Sequence, residues 1–220
     1  DGSFGFDICS QCGVYKLDPM PHLEELKSYY TEDYHGFHTS NKGIITFLYK
    51  VIYKLRFSIY KKYLGADGSL LDVGCADAEY FDLLKLELPD ALLCGVEFKD
   101  EIAEQGRLKG RNIITGTIED CPKEKKYDLI IMNNLIEHVI DPILELRKAN
   151  KLLADGGHII IETPNVSSWD QMVFKRHWGG YHIPRHTYLF SPRSIKQLAN
   201  LTGFKIKKMN FLLNTDHWAL

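Results

Sequence analysis

A chain of 220 residues is long enough for one large α/β domain, alone or with a small satellite. Its 27 Lys and Arg against 29 Asp and Glu leave a net charge of −2, which excludes a nucleic-acid-binding protein that is basic throughout. With 45% hydrophobic and 25% charged residues the composition is globular, and no run reaches the ~18 apolar residues of a membrane-spanning helix.

The opening Asp1-Gly-Ser-Phe4 lacks Met and lacks the basic start and apolar run of a signal peptide. The expectation is a cytoplasmic protein and a piece cut from a longer chain. Of the five cysteines, Cys75, Cys94 and Cys121 lie singly in or beside apolar runs, as reduced cysteines do, and only Cys9 and Cys12 have ligand spacing. Residues 44–64 read as a helix, with Phe47, Leu48, Val51, Ile52, Leu55 and Ile59 on one face. Lys50, Lys54 and Lys61 lie elsewhere on the wheel. A helix packed on a sheet accounts for this pattern better than one lying on a membrane surface.

Five short apolar runs follow, at residues 70–73, 91–96, 112–115, 128–132 and 158–162. None alternates like a half-exposed strand, so they read as strands covered on both faces. Helical spacing appears between them, in Tyr80, Leu83, Leu84 and Leu88 and again in Ile143, Leu146, Ala149 and Leu153. Gly156-Gly157 is expected to stop the second helix before the fifth strand. The alternation over 69–162 predicts a doubly wound, Rossmann-like, mostly parallel sheet in three α/β/α layers, preceded by a helical extension. Residues 163–190 show no periodicity but are rich in Trp, His, Arg, Tyr and Pro, which reads as a functional loop. Ser191 then caps a helix that begins at Pro192 and runs to Gly203, and 204–212 alternates like a strand.

In an open sheet of this kind ligands bind at the carboxyl ends of the strands. The first run of the sheet leads into Asp72-Val-Gly-Cys-Ala-Asp-Ala78, where Gly74 permits a tight turn and close approach to a ligand. The second ends in Glu97, which can accept hydrogen bonds from both hydroxyls of a ribose. Strand, turn and acid together specify an adenosine-type ligand. Ala76 and Glu79 stand where a nicotinamide-dinucleotide site needs glycines for the pyrophosphate, which argues against an oxidoreductase of that kind.

Leu70-Leu-Asp-Val-Gly-Cys-Ala-Asp-Ala78, Gly95-Val-Glu97, Gly116-Thr-Ile-Glu-Asp120, the segment from Tyr127 to Pro142 and Leu152-Leu-Ala-Asp-Gly-Gly-His158 occur in order. Together they resemble the motifs of class I S-adenosylmethionine-dependent methyltransferases. The chain is most similar to the small-molecule branch around ubiquinone-biosynthesis O-methyltransferases and sugar methyltransferases. The resemblance implies S-adenosylmethionine as cofactor and S-adenosylhomocysteine as product. It sets Asp72, Gly74, Cys75 and Ala76 beside the methionine part, Glu97 on the ribose, Phe98, Thr117 and Ile118 at the adenine, and Asn133 and Asn134 at the methionine end. The family's Gly-x-Gly-x-Gly is here Gly74-Cys-Ala76-Asp-Ala78, so two glycines are replaced by alanine.

A hydroxyl or amine acceptor calls for a base near neutral pH. His138 follows the fourth strand of the sheet, and Trp178-Gly-Gly-Tyr-His182-Ile-Pro-Arg-His186 lies in the loop after the fifth. His138, His186 and His182 are the candidate bases, and they read equally as a hydrogen-bonded brace for the loop. Arg185, Trp178 and Tyr181 are candidate acceptor contacts, Arg185 for an anionic group. The implied activity is methyl transfer to a hydroxyl, amine or carbon of a quinone-, sugar- or glycan-related small molecule. The alternative is a non-catalytic nucleoside- or partner-binding domain, which the alanines in the glycine loop suggest.

The expected division is 1–40, an N-terminal segment with a half zinc ribbon and an aromatic stretch at Tyr29, Tyr30 and Tyr34, which the resemblance makes a lid and the residues alone make equally a hydrophobic clasp, and 41–220, the methyltransferase domain. Within the latter, 69–163 is the cofactor core, 164–190 the acceptor-side loop and 191–220 a last helix and strand. Relatives carry a second Cys-x-x-Cys upstream of the pair matching Cys9 and Cys12, and His22 is a poor substitute ligand, so no metal is expected here. The fold's closing hairpin is expected to be cut short, leaving a sheet edge that is either exposed or completed by another chain, as in a homodimer.

Overall fold

The computed structural model describes residues 4–29, 53 and 56–211. Tyr30, Tyr34 and most of the helix expected over 44–64 lie outside them. Two compact units share the chain: one takes residues 1–31, 134–150 and 162–220, and the other takes 32–133 and 151–161.

The chain begins in the first unit with strands β1 (Gly5–Ile8) and β2 (Tyr15–Asp18) and the short helix α1 (Leu23–Ser28). It continues in the second unit with helix α2 (56–64). There follow β3 (Ser69–Val73), α3 (Tyr80–Glu87), β4 (Leu92–Glu97), α4 (Asp100–Leu108), β5 (Ile113–Thr115) and β6 (Tyr127–Asn133). Helix α5 (Pro142–Leu152) leads into β7 (Leu153–Glu162), after which α6 (Trp169–Phe174), β8 (Tyr188–Leu189) and α7 (Pro192–Leu201) close the described chain.

The larger sheet has the order β5-β4-β3-β6-β7, and β3 runs parallel to both β4 and β6, as β4 does to β5. All five expected strands are present. The apolar runs form central strands because both faces are covered: Leu70, Leu71, Leu129, Ile130, Ile131 and Met132 are wholly buried. One side of the core joins Phe57, Tyr60 and Leu64 of α2 to Phe81, Leu84 and the sheet. The register Asp72↔Gly95 and Val73↔Val96 brings the ends of β3 and β4 side by side, so Gly74 and Glu97 emerge as neighbours.

In the first unit β1 and β2 form an antiparallel hairpin, and β8 adds to β2 through Tyr15↔Leu189 and Lys16↔Tyr188. The N-terminal segment is therefore one sheet with residues from the 164–190 loop. Trp178, Val166 and Leu189 pack with Phe6, Tyr15 and Tyr181 into a small core of their own.

Three expectations are corrected. Helix α5 ends at Leu152, and Gly156-Gly157 lie inside β7 instead of before it, with Gly156 at φ +76° supplying the bend. Residues 163–190 are not without elements: Ser168 accepts from the Gln171 N–H and caps α6, and β8 follows. Residues 204–211 form no strand, since their alternating side chains are mostly exposed and pair with none of the described strands. The cap of α7 is as expected, with Ser191 and Ser194 closing a capping box ahead of Pro192.

Candidate active site

Two groups of expected site residues come together, one in each unit. In the larger sheet's unit, the backbone turns directly after β3, and the N–H groups of Gly74 and Cys75 both donate to the Val96 carbonyl, at 2.8 and 3.1 Å. Gly74, Ala76 and Ala78 all have positive φ, at +78°, +50° and +53°. The two alanines thus keep the left-handed backbone that glycine adopts without strain, at a cost on the order of 1–2 kcal/mol each. Gly95 makes room for this loop: a Cβ there would meet Cys75 Sγ at 2.3 Å.

Glu97 is buried at the end of β4. Its Oε2 accepts from the Ala76 N–H at 3.1 Å and its Oε1 from the Lys99 N–H at 3.0 Å. Burial raises its pKa, against those backbone donors. Asp72 is also buried and accepts a 2.8 Å hydrogen bond from the Tyr80 hydroxyl. Burial pushes its carboxyl up to about 7, opposed by Tyr80 and Arg56 and reinforced by Glu97. Tyr80 is itself ringed by Tyr53, Phe57, Tyr60 and Phe81, at centroid separations of 5.0–6.4 Å. Burial makes Cys75 a poor thiolate, in line with its reading as a filler.

The remaining residues of this group are placed as follows. Phe98 is 44% exposed beside Glu97. Thr117 caps the 3₁₀ turn 118–120 through its hydroxyl, while Ile118 is buried. Asn133 Nδ2 donates to the Tyr60 hydroxyl at 3.3 Å. Asn134, exposed and at φ +47°, belongs to the other unit, where its N–H donates to the Glu162 carbonyl. Sequence reasoning missed Arg111, whose buried guanidinium donates to the Asp77 carbonyl and carboxylate at 2.8 Å and grips Asp82 through two nitrogens. Burial opposes ionisation of Asp77, but Lys109 and Arg111 outweigh it and hold its carboxyl below the usual range. This clamp fixes the loop after β3. Its only sequence signal was a pair of acids flanking a helix start.

In the first unit the three histidines converge. The His138 and His186 rings meet edge to face at 4.6 Å, and His182 lies 5.0 Å from His186. His138 Nδ1 bonds the Arg185 carbonyl at 3.1 Å, and His186 Nδ1 bonds the Gly180 carbonyl at 2.8 Å. Burial is the main reason why His138 falls to about 4. Glu137, which sequence reasoning left without a role, is wholly buried and accepts from the Thr163 hydroxyl at 2.9 Å. Burial drives its carboxyl up to about 8. Tyr181 accepts from Gln171 Nε2, and Arg185 is half-buried. Trp178 is buried, with Nε1 bonded to Asp170 at 2.8 Å, so it packs the loop and presents no open face.

At the tip of the β1–β2 hairpin the Gly13 N–H donates to the Cys9 carbonyl, with Gly13 at φ +74°. Backbone N–H groups of the turn, Cys12 first, lower the pKa of the exposed Cys9 thiol.

Residues 47–208 match the family model described as "Methyltransferase domain". An uncharacterised protein of Methanocaldococcus jannaschii is 21% identical over 177 residues, 80% of this chain and 79% of that one. The ubiquinone biosynthesis O-methyltransferase of Vibrio vulnificus is 31% identical over 112 residues, 46% of this chain and 47% of that enzyme. The match thus spans about half the length of that enzyme. Among solved structures, a SAM-dependent methyltransferase from Archaeoglobus fulgidus superimposes with a TM-score of 0.56 at 22% identity, covering 71% of this chain and 69% of its own. Another, described as a possible histamine N-methyltransferase from Thermotoga maritima, gives 0.52 at 22% identity over 71% of this chain and 78% of its own.

Proposed function

For this chain, which belongs to the class I S-adenosylmethionine-dependent methyltransferase family, we propose methyl transfer to a hydroxyl, amine or carbon of a small molecule of the quinone, sugar or glycan kind. The observation that carries the reading is Glu97. Backbone N–H groups of Ala76 and Lys99 hold one oxygen each, so the buried carboxylate is oriented to receive the two ribose hydroxyls. The glycine-type backbone at Gly74, Ala76 and Ala78 beside it lets the main chain come close to a ligand, and the donor set fits an adenosyl group. Asp72, among the aromatic rings around Tyr80, suits the cationic amino acid portion.

S-adenosylmethionine supplies an electrophilic methyl on a sulfonium, and transfer depends largely on alignment with the acceptor. In this reading the loop from Gly74 to Ala78, held by Arg111, positions the methionine part, and Phe98 and Thr117 border the adenine. Burial lowers His138 to about 4, so near neutral pH it is an uncharged imidazole, held by its Nδ1 bond to the Arg185 carbonyl. A pKa so far below the operating pH makes it a weak base. Arg185 and Tyr181 are the proposed contacts for an anionic or hydroxylated acceptor, in a cytoplasmic setting.

Calorimetric titration with S-adenosylhomocysteine tests the reading. Micromolar binding by the wild type, weakened at least tenfold in Glu97→Ala, is expected. Absence of binding by the folded wild type overturns it in favour of a non-catalytic domain.

A further inference from the structure

We propose that Glu137, His138 and His186 bind a divalent transition-metal ion, with zinc the best match. One donor atom from each residue lies within 4.8 Å of the other two. Zinc with bonds of about 2.0–2.1 Å sets tetrahedral donors about 3.4 Å apart, so side-chain adjustment of at most about 1.4 Å brings the three onto one ion. Two imidazoles and one carboxylate are a borderline donor set that suits zinc or iron, and three protein ligands leave a coordination position open.

Two further observations point to a ligand. Glu137 is wholly buried, and its Oε1 has no hydrogen-bond partner among the described residues. A buried carboxylate oxygen left in this state is costly unless a proton or a cation satisfies it. Its other oxygen is fixed by the Thr163 hydroxyl at 2.9 Å, which aims the group. The histidines are oriented in the way that metal-binding imidazoles are: Nδ1 of His138 donates to the Arg185 carbonyl and Nδ1 of His186 to the Gly180 carbonyl. Each bond places the proton on Nδ1 and the lone pair on Nε2. All three residues lie in one compact unit, so the site needs no assumption about the other. The inference does not depend on methyl transfer.

The test is titration of the full chain carrying Cys9→Ser and Cys12→Ser with cobalt(II), followed by competition with zinc. Those two changes remove the thiol pair with ligand spacing, which would otherwise report its own binding. One equivalent of cobalt with visible d–d bands and no thiolate charge-transfer band, displaced by zinc, is expected. Glu137→Gln and, separately, His138→Asn should each weaken cobalt binding at least tenfold while the far-ultraviolet circular dichroism is unchanged. If Glu137→Gln does not fold, the partly exposed His138 carries the same comparison. No stoichiometric binding, which would mean that Glu137 is satisfied by a proton alone, overturns the proposal. So does binding that neither substitution weakens.

Discussion

Asp72 is buried, and its carboxyl is held at about 7, the bottom of the range in which a carboxylic acid is largely neutral at neutral pH. Its ordinary value of 3.8 applies in the unfolded chain and about 7 in the folded one. The folded protein therefore holds its proton more tightly than the unfolded chain does. Its contribution to stability is fully present below about pH 4 and is lost as pH rises through about 7. A shift of that size corresponds to about 4 kcal/mol. Asp72→Asn removes the titration and preserves a partner for Tyr80. Urea unfolding of the two proteins at pH 4 and pH 8 should show the wild type losing up to about 4 kcal/mol more than the variant. A difference independent of pH would mean that Asp72 is ionised throughout. Glu97, whose pKa is also raised by burial, adds a slope of the same sign, so only the difference between the proteins isolates Asp72.

Gly180 shows how one element is built around one residue. A Cβ there would lie 2.3–2.6 Å from three atoms of the Trp178 ring, and the ring is already fixed by its bond to Asp170 and its edge contact with Tyr181. Gly180→Ala must therefore displace the indole, at a cost of about 1–3 kcal/mol. The same residue's carbonyl holds His186, so the His186 ring resonances in an NMR spectrum should move as well. Unchanged stability with unchanged resonances would show that the loop yields freely. The five strands of the larger sheet were legible because burial on both faces writes itself as continuous apolar runs. The converging histidines were legible as a local excess of one residue type. The smaller sheet was not legible, since β1, β2 and β8 are two to four residues long and mostly lack fully buried side chains. Residues 204–211 show the opposite error, an alternation with no partner strand among the described residues. Glu137 went without a role because nothing in the sequence distinguishes a wholly buried carboxylate from a helix-capping one.

At the scale of the molecule, the chain's order and its compact units do not coincide. The first unit is assembled from three separate segments, and residues 1–31 are one of them. A cut near residue 40, the expected boundary, separates β2 from β8. It removes the Leu17 N–H bond to the Thr187 carbonyl, the contact of Phe6 with Tyr181 and the Arg193 bond to the Gln11 carbonyl. It also uncovers surface that Leu17, 1% exposed, now covers, for which full burial of such a side chain is worth about 1.5–3 kcal/mol. The second unit draws nothing from residues 1–31, and among the described residues its strands β3, β4 and β6 pair only with one another and with β5 and β7. Deleting residues 1–31 should therefore raise amide exchange at Leu189 and across 178–190 by more than tenfold, and leave β3, β4 and β6 protected. Equal loss in both regions would mean that the two units unfold as one. Undiminished protection over 178–190 would mean that the hairpin adds nothing to the loop that carries His182 and His186, and that bonds such as Trp178 to Asp170, Gln171 to Tyr181 and His138 to the Arg185 carbonyl hold it.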